Sequence, residues 1–232
     1  MTTIAMIVSG AGLPDWLWDD VRARLKMPTR IAPKPADSDA TVTEYARAAL
    51  VAAHSGRILL VAHSAGGVVA SEIAALAAPG QIAGIVGVTA VIPPSGGSFT
   101  SAMPFPQNVM LPVVLRVAGT RPPESAIRNA LASGIDPTAA DRLVADFTPE
   151  PRQYFTSRVR DTEPLRALPT RSYLLTTDDA EFPIGQQERF AARMRPHTLI
   201  RVQSGHLPML THPDDVAGAI TSAALTDQAA RD

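Results

Sequence analysis

The stretch Arg57-Ile-Leu-Leu-Val-Ala-His-Ser-Ala-Gly-Gly-Val-Val-Ala70 constrains this chain most. Aliphatic and β-branched residues at 58–61 read as a buried strand. That run stops at Ala62-His63-Ser64-Ala65-Gly66, and a small-residue helical pattern starts at once. The result is strand, tight turn, helix, with a serine at the apex. On so strained a turn the hydroxyl projects beyond the sheet edge, and the next backbone N–H points into the same space. Ser64 is therefore expected to be a nucleophile. A glycine usually precedes such a serine by two residues. Here Ala62 stands there, small enough for the close approach of strand and helix.

Other segments repeat the alternation. Residues 4–8 read as a first strand, closed by Ser9-Gly10-Ala11-Gly12. Trp16, Trp18, Val21 and Leu25 are spaced for one helix face. Residues 31–39 read as a loop, and Thr41 starts a helix running to about His54. After the helix that follows Ser64, residues 82–91 form a nearly continuous apolar run, as in a strand buried on both faces. Strands are expected again at 171–176 and 198–202, with helices at 184–194 and 213–225. Alternating β and α units point to a mostly parallel sheet with helices on both faces. Between them the chain is Pro-rich and irregular, with weak helical stretches at 109–117, 124–133 and 138–146. The expected organisation is one domain, with residues 1–94 and 170–232 as core and 95–169 as a small helical cap.

Composition removes some alternatives. A net charge of -1 with no long basic stretch argues against nucleic acid as a partner. The absence of cysteine excludes disulfides, cysteine nucleophiles and thiolate metal sites. The apolar run at 1–8 lacks a basic flank and is cut by Ser9-Gly10, which argues against a membrane span. A cytoplasmic protein is expected, with a small molecule as partner, a homodimer left open, and no metal or organic cofactor.

A serine hydroxyl needs a base to take its proton, an acid to orient the base, and N–H donors for the oxyanion. The expected chain order is serine, acid, histidine. His206 follows a strand and Gly205, and suits the base better than His54, His63, His197 or His212. Asp178, Asp179 and Glu181 compete for the acid, and spacing does not choose between them. One oxyanion donor is the Ala65 amide, and the other is expected within Gly10–Gly12.

These segments together resemble the α/β-hydrolase superfamily, above all the branch of plant methyl esterases and hydroxynitrile lyases and their bacterial relatives. Ser9-Gly10-Ala11-Gly12 with Trp16-Leu17-Trp18 is similar to the branch's H-G-A-x-x-x-x-W-x-W opening. Ala62-His63-Ser64-Ala65-Gly66-Gly67 is similar to its G-H-S-x-G-G turn. Ala90 to Ser98 resembles the D-A-x-x-P-x-x-G-x-S entry to the cap. Thr177-Asp178-Asp179 with Phe182-Pro183 and Gln187 resembles T-x-D-x-x-x-P-x-x-x-Q. Gly205-His206-Leu207-Pro208-Met209 resembles D-H-x-P-M. The resemblance implies an α/β-hydrolase fold, Ser64 as nucleophile, Asp179 as acid, His206 as base, and Ala11 and Ala65 as oxyanion donors. It departs at Ser9, where the branch carries histidine. Gly10 and Leu207 stand where the lyases require threonine and lysine, so the sequence sides with the esterases.

The leading functional expectation is cleavage of a small, fairly apolar ester or lactone through an acyl-enzyme. Lyase, carbon–carbon hydrolase or cyclase chemistry at the same site is a second reading, and a non-catalytic small-molecule binder a third. Met103, Phe105, Met110, Leu111, Trp16, Trp18 and Leu207 are the expected pocket residues.

Overall fold

The structure is a computed structural model that describes residues 3–54 and 56–229. Among these, six strands form one sheet: β1 (Thr3–Val8), β2 (Thr29–Ile31), β3 (Arg57–His63), β4 (Ile82–Val88), β5 (Thr170–Thr176) and β6 (Thr198–Val202). Their spatial order is β2-β1-β3-β4-β5-β6, and every neighbouring pair is parallel. The helices are α1 (Asp19–Arg24), α2 (Val42–Ala52), α3 (Gly66–Leu76), α4 (Phe99–Ala102), α5 (Gln107–Val117), α6 (Glu124–Ala126), α7 (Pro137–Asp146), α8 (Arg152–Thr156), α9 (Glu163–Arg166), α10 (Ile184–Met194), α11 (Pro208–Thr211) and α12 (Pro213–Ala229). None of the described helices is long and apolar enough to cross a membrane.

Period-two alternation splits the strands between two apolar layers. Ile58, Leu60 and Ala62 join the layer holding residues of α2, α3 and α10. Leu59 and Val61 face the opposite layer, with Val21 of α1 and Ile220 of α12. Both faces are covered, which is why the strands read as continuous apolar runs. The chain leaves β1 for β2 on one side and then crosses to β3 on the other. The crevice at the carboxyl ends of β1 and β3 is thus a topological switch point, the usual ligand position in an open α/β sheet. The loop after β1 and the serine turn after β3 both end there.

Several expectations change. The short strand β2 ends in what reads as loop, because three edge residues, none of them buried, carry no periodic signal. The strand expected over 82–91 stops at Val88. Thr89 takes a positive φ of 44° and its amide donates to Leu174. Residues 90–92 stay apolar because they are buried against the serine turn, where Val91 N–H donates to the Ser64 carbonyl at 2.8 Å. The helix expected over Trp16–Leu25 is a 3₁₀ turn (Asp15–Trp18) running into α1. Residues 89–169 add no strand; α4, α8 and α9 of this segment, four or five residues each, are too short for a periodic pattern.

Candidate active site

Ser64 sits between β3 and α3 with a φ of 52°, in the left-handed region that costs a non-glycine residue roughly 1–2 kcal/mol. The surroundings hold it there. Its amide donates to the Val88 carbonyl, and its carbonyl accepts from Gly67 and Val91. Gly66 is required by close approach: a Cβ there would lie 2.1 Å from the Val8 carbonyl oxygen. Ala62 is fully buried and fits the turn without distorting it.

The turn after β6 brings His206 to the serine. Its Nε2 lies 3.0 Å from Ser64 Oγ and its Nδ1 2.8 Å from Asp179 Oδ2. A carboxylate only accepts, so the proton resides on Nδ1 and Nε2 is free to accept from the serine hydroxyl. Gly205 lets residue 133 of the long β4–β5 segment pass against this turn, since a Cβ there would meet the Ser133 carbonyl oxygen at 2.3 Å.

Of the three acids, it is Asp179 that lies against His206. Thr177 and Asp178 extend the β5–β6 pairing, their amides donating to Val202 and Ser204. That turns the Asp178 side chain to solvent and the Asp179 side chain inward. Asp179 Oδ1 accepts from the amides of Glu181 and Phe182 at 2.8 and 2.9 Å, and Oδ2 accepts from the Thr176 hydroxyl at 3.1 Å. Burial alone would raise this carboxyl. The His206 imidazole and the two amides outweigh it and hold the group below the usual carboxylate range. Gln187 fixes the loop from beneath: its Oε1 accepts from Thr176 N–H, and its amide donates to the carbonyls of Thr176 and Phe182.

His63 does not join the reacting groups. Its Nε2–H donates to the main-chain carbonyl of His206 at 2.9 Å, so it clamps the histidine turn to the serine turn. Burial, reinforced by the charge of a protonated His206, pushes its pKa down to about 3 and keeps it neutral. At the opening motif, the Trp18 indole donates to Ser9 Oγ at 3.1 Å, the local bond made in the absence of the branch's histidine.

Above Ser64 lies a cavity of about 400 Å³, lined by Ser64, Ala11 and Ala65 from the sheet edge and by apolar side chains of the 89–169 segment. Among the described residues the amides of Ala11 and Ala65 donate to no protein acceptor. Met103, Met110 and Leu111 line the cavity. Phe105 does not: it is 82% exposed on the outer surface. Trp16 also lies elsewhere, its indole donating to Asp146 and its ring under the Arg142 guanidinium. Trp18 and Leu207 are buried in the apolar layer on one face of the sheet. Sequence reasoning missed Leu13, Phe99, Phe147, Phe155, Phe182 and Gln186 as lining residues. Only Phe182 carried a local signal, three positions after Asp179.

Comparison with solved structures places this arrangement among known folds. An extracellular α/β-hydrolase from a Paenibacillus species, described as sharing homology with tobacco salicylic acid binding protein 2, superposes with a TM-score of 0.79 at 18% identity, covering 96% of this chain and 99% of that one. A pyrethroid hydrolase from Sphingobium faniae gives 0.71 at 23% identity, with 96% and 97% covered. A methylesterase from Arabidopsis gives 0.73 at 16% identity, with 96% and 99% covered. No curated protein matches by sequence. The six-stranded parallel sheet with a serine turn at its switch point agrees with the family model that matches residues 6–219, and the chain belongs to the alpha/beta hydrolase family.

Proposed function

We propose that the protein is a serine esterase that cleaves small, largely apolar carboxylic esters or lactones, with Ser64 as nucleophile, His206 as general base and acid, and Asp179 as the orienting carboxylate. The observation that carries this reading is the continuous hydrogen-bonded line from Ser64 Oγ through His206 to Asp179 at the floor of an apolar cavity. Nε2 takes the serine proton as Oγ attacks the carbonyl carbon, and Asp179 stabilises the imidazolium that forms. The tetrahedral oxyanion accepts from the unpaired amides of Ala11 and Ala65. Nε2–H then protonates the leaving alkoxide, and the acyl group stays on Oγ. Water, deprotonated by the same nitrogen, attacks the acyl carbon, and Oγ leaves with the proton.

Cavity volume and lining suit an ester of modest size. The similar structures named as a pyrethroid hydrolase and a methylesterase are consistent with ester cleavage. Against the lyase alternative, Leu207 places an apolar side chain in the core directly after His206, so no lysine ammonium is available at that position.

A series of p-nitrophenyl esters of increasing acyl length is the direct test. Short to medium chains are expected to turn over, and Ser64→Ala is expected to lower kcat by at least ~10⁴-fold. A Ser64→Ala enzyme that retains full activity would rule out the acyl-enzyme.

A further inference from the structure

The cavity wall is mostly apolar. Glu181 lines it and is the one charged side chain to do so among the described residues. Its amide helps hold Asp179, but no hydrogen bond or cation among the described residues offsets the burial of its carboxylate. Glu181 is half-buried, where a cationic partner would offset the cost of partial desolvation, and burial raises this carboxyl above the ordinary glutamate range. Asp179 adds to that rise and His206 opposes it, so Glu181 lies within electrostatic reach of both reacting partners. The polar neutral residues of the wall, Gln107, Thr120 and Gln186, neutralise none of its charge.

We propose that Glu181 is the specificity-determining residue of the cavity: it selects esters that carry an ammonium group near the scissile carbonyl and disfavours esters that carry a second carboxylate. This rests on the esterase reading above. An apolar body fits the methionine and phenylalanine wall, and a positive substituent supplies the partner that Glu181 lacks. The same charge repels the carboxylate formed on deacylation and so favours product release.

The test uses two arms at pH 8. In the first, a matched series of esters (ammonium-bearing, neutral and carboxylate-bearing, of equal size) is assayed with wild type and Glu181→Gln. The ammonium-to-carboxylate ratio of kcat/KM is expected to fall at least ten-fold in the variant, whatever happens to the absolute rates. A merely structural role would change all three esters together and leave the ratio unmoved, which would overturn the proposal. In the second arm, binding of phenethylammonium and of 3-phenylpropionate is measured by calorimetry on Ser64→Ala with and without Glu181→Gln. Preference for the ammonium ligand, lost in the double variant, supports the assignment even if no ester is cleaved. Equal binding of the two ligands to Ser64→Ala refutes it. Failure of catalysis and failure of charge selection are thus read separately.

Discussion

Helix α3, which follows the cavity-lining Ser64 and Ala65, and helix α5, which lines the cavity itself, are both eleven residues long, yet they are opposite in kind. From Gly66 to Ala74 every residue of α3 is buried, and the helix presses Ser64 into the turn from behind. In α5 only Leu115 is buried. Met110, Leu111, Val114 and Leu115 face the cavity, while Val113 and Val117 face out and are exposed. The serine side of the cavity is thus set in a close-packed interior that transmits any change of volume. The other side is a wall of short helices held by scattered polar ties. Glu150 accepts from the Gly12 amide and from Tyr45 and pairs with Lys34, while the fully buried Glu72 accepts from the Arg160 amide and the Thr43 hydroxyl.

The sharpest way to break this contrast is chemical. Asp179→Asn keeps the shape of the loop but reverses the hydrogen-bonding demand on His206 Nδ1, and kcat is expected to fall ~10⁴-fold in the ester assay. A small loss would mean that the carboxylate does not orient the base. Next in size is packing. Ile73→Ala in α3 empties a fully buried site and is expected to cost about 2–5 kcal/mol in denaturant unfolding.

A pH effect follows from His63. Folded, it stays neutral down to about pH 3; unfolded, it takes up a proton near its ordinary pKa of 6.5. Its contribution is therefore fully retained above pH 6.5. As pH falls from 6.5 towards 3, the unfolded state binds the extra proton and stability drops by up to ~1.4 kcal/mol per pH unit. His63→Gln can still donate to the His206 carbonyl but does not titrate. Urea midpoints taken between pH 4 and 7 should fall less steeply for the variant, and equal slopes would mean that His63 is protonated in the fold. The smallest effect belongs to the outer face of α5. Val113, 60% exposed, should tolerate serine within about 0.5 kcal/mol by thermal unfolding, with the cavity unaltered.

Much of the sheet could be read from residue order. Continuous apolar runs mark β1, β3 and β4, and α10 and β6 begin and end where their patterns do. Thr41 and Glu44 form the capping box that starts α2. The four-residue helices α4 and α9 were not legible, because one turn is too short to show a period. Pro112 lies inside α5 and the turn at Ile127–Leu131 is π-helical, and neither follows a standard signal. In the site, Ser64 and His206 stood out because each sits in a turn whose shape depends on adjacent glycines. Trp16 and Phe105 misled, since aromatic character says nothing about which way a loop turns.

Local rules determined the strand–turn–helix around Ser64 and the alternation that makes a parallel sheet, because each is a short-range consequence of backbone sterics and apolar spacing. Only tertiary structure decided what depended on distant segments meeting. Asp179 turns inward, and Asp178 outward, because β6 pairs with the main chain of Thr177 and Asp178. The Ala11 and Ala65 amides share one space because β1 and β3 are neighbours in the sheet. Glu181 is the single charge lining an apolar cavity among the described residues because helices from residues 99–155 lie over it. A residue's type sets the chemistry it can perform, and long-range packing sets what it faces.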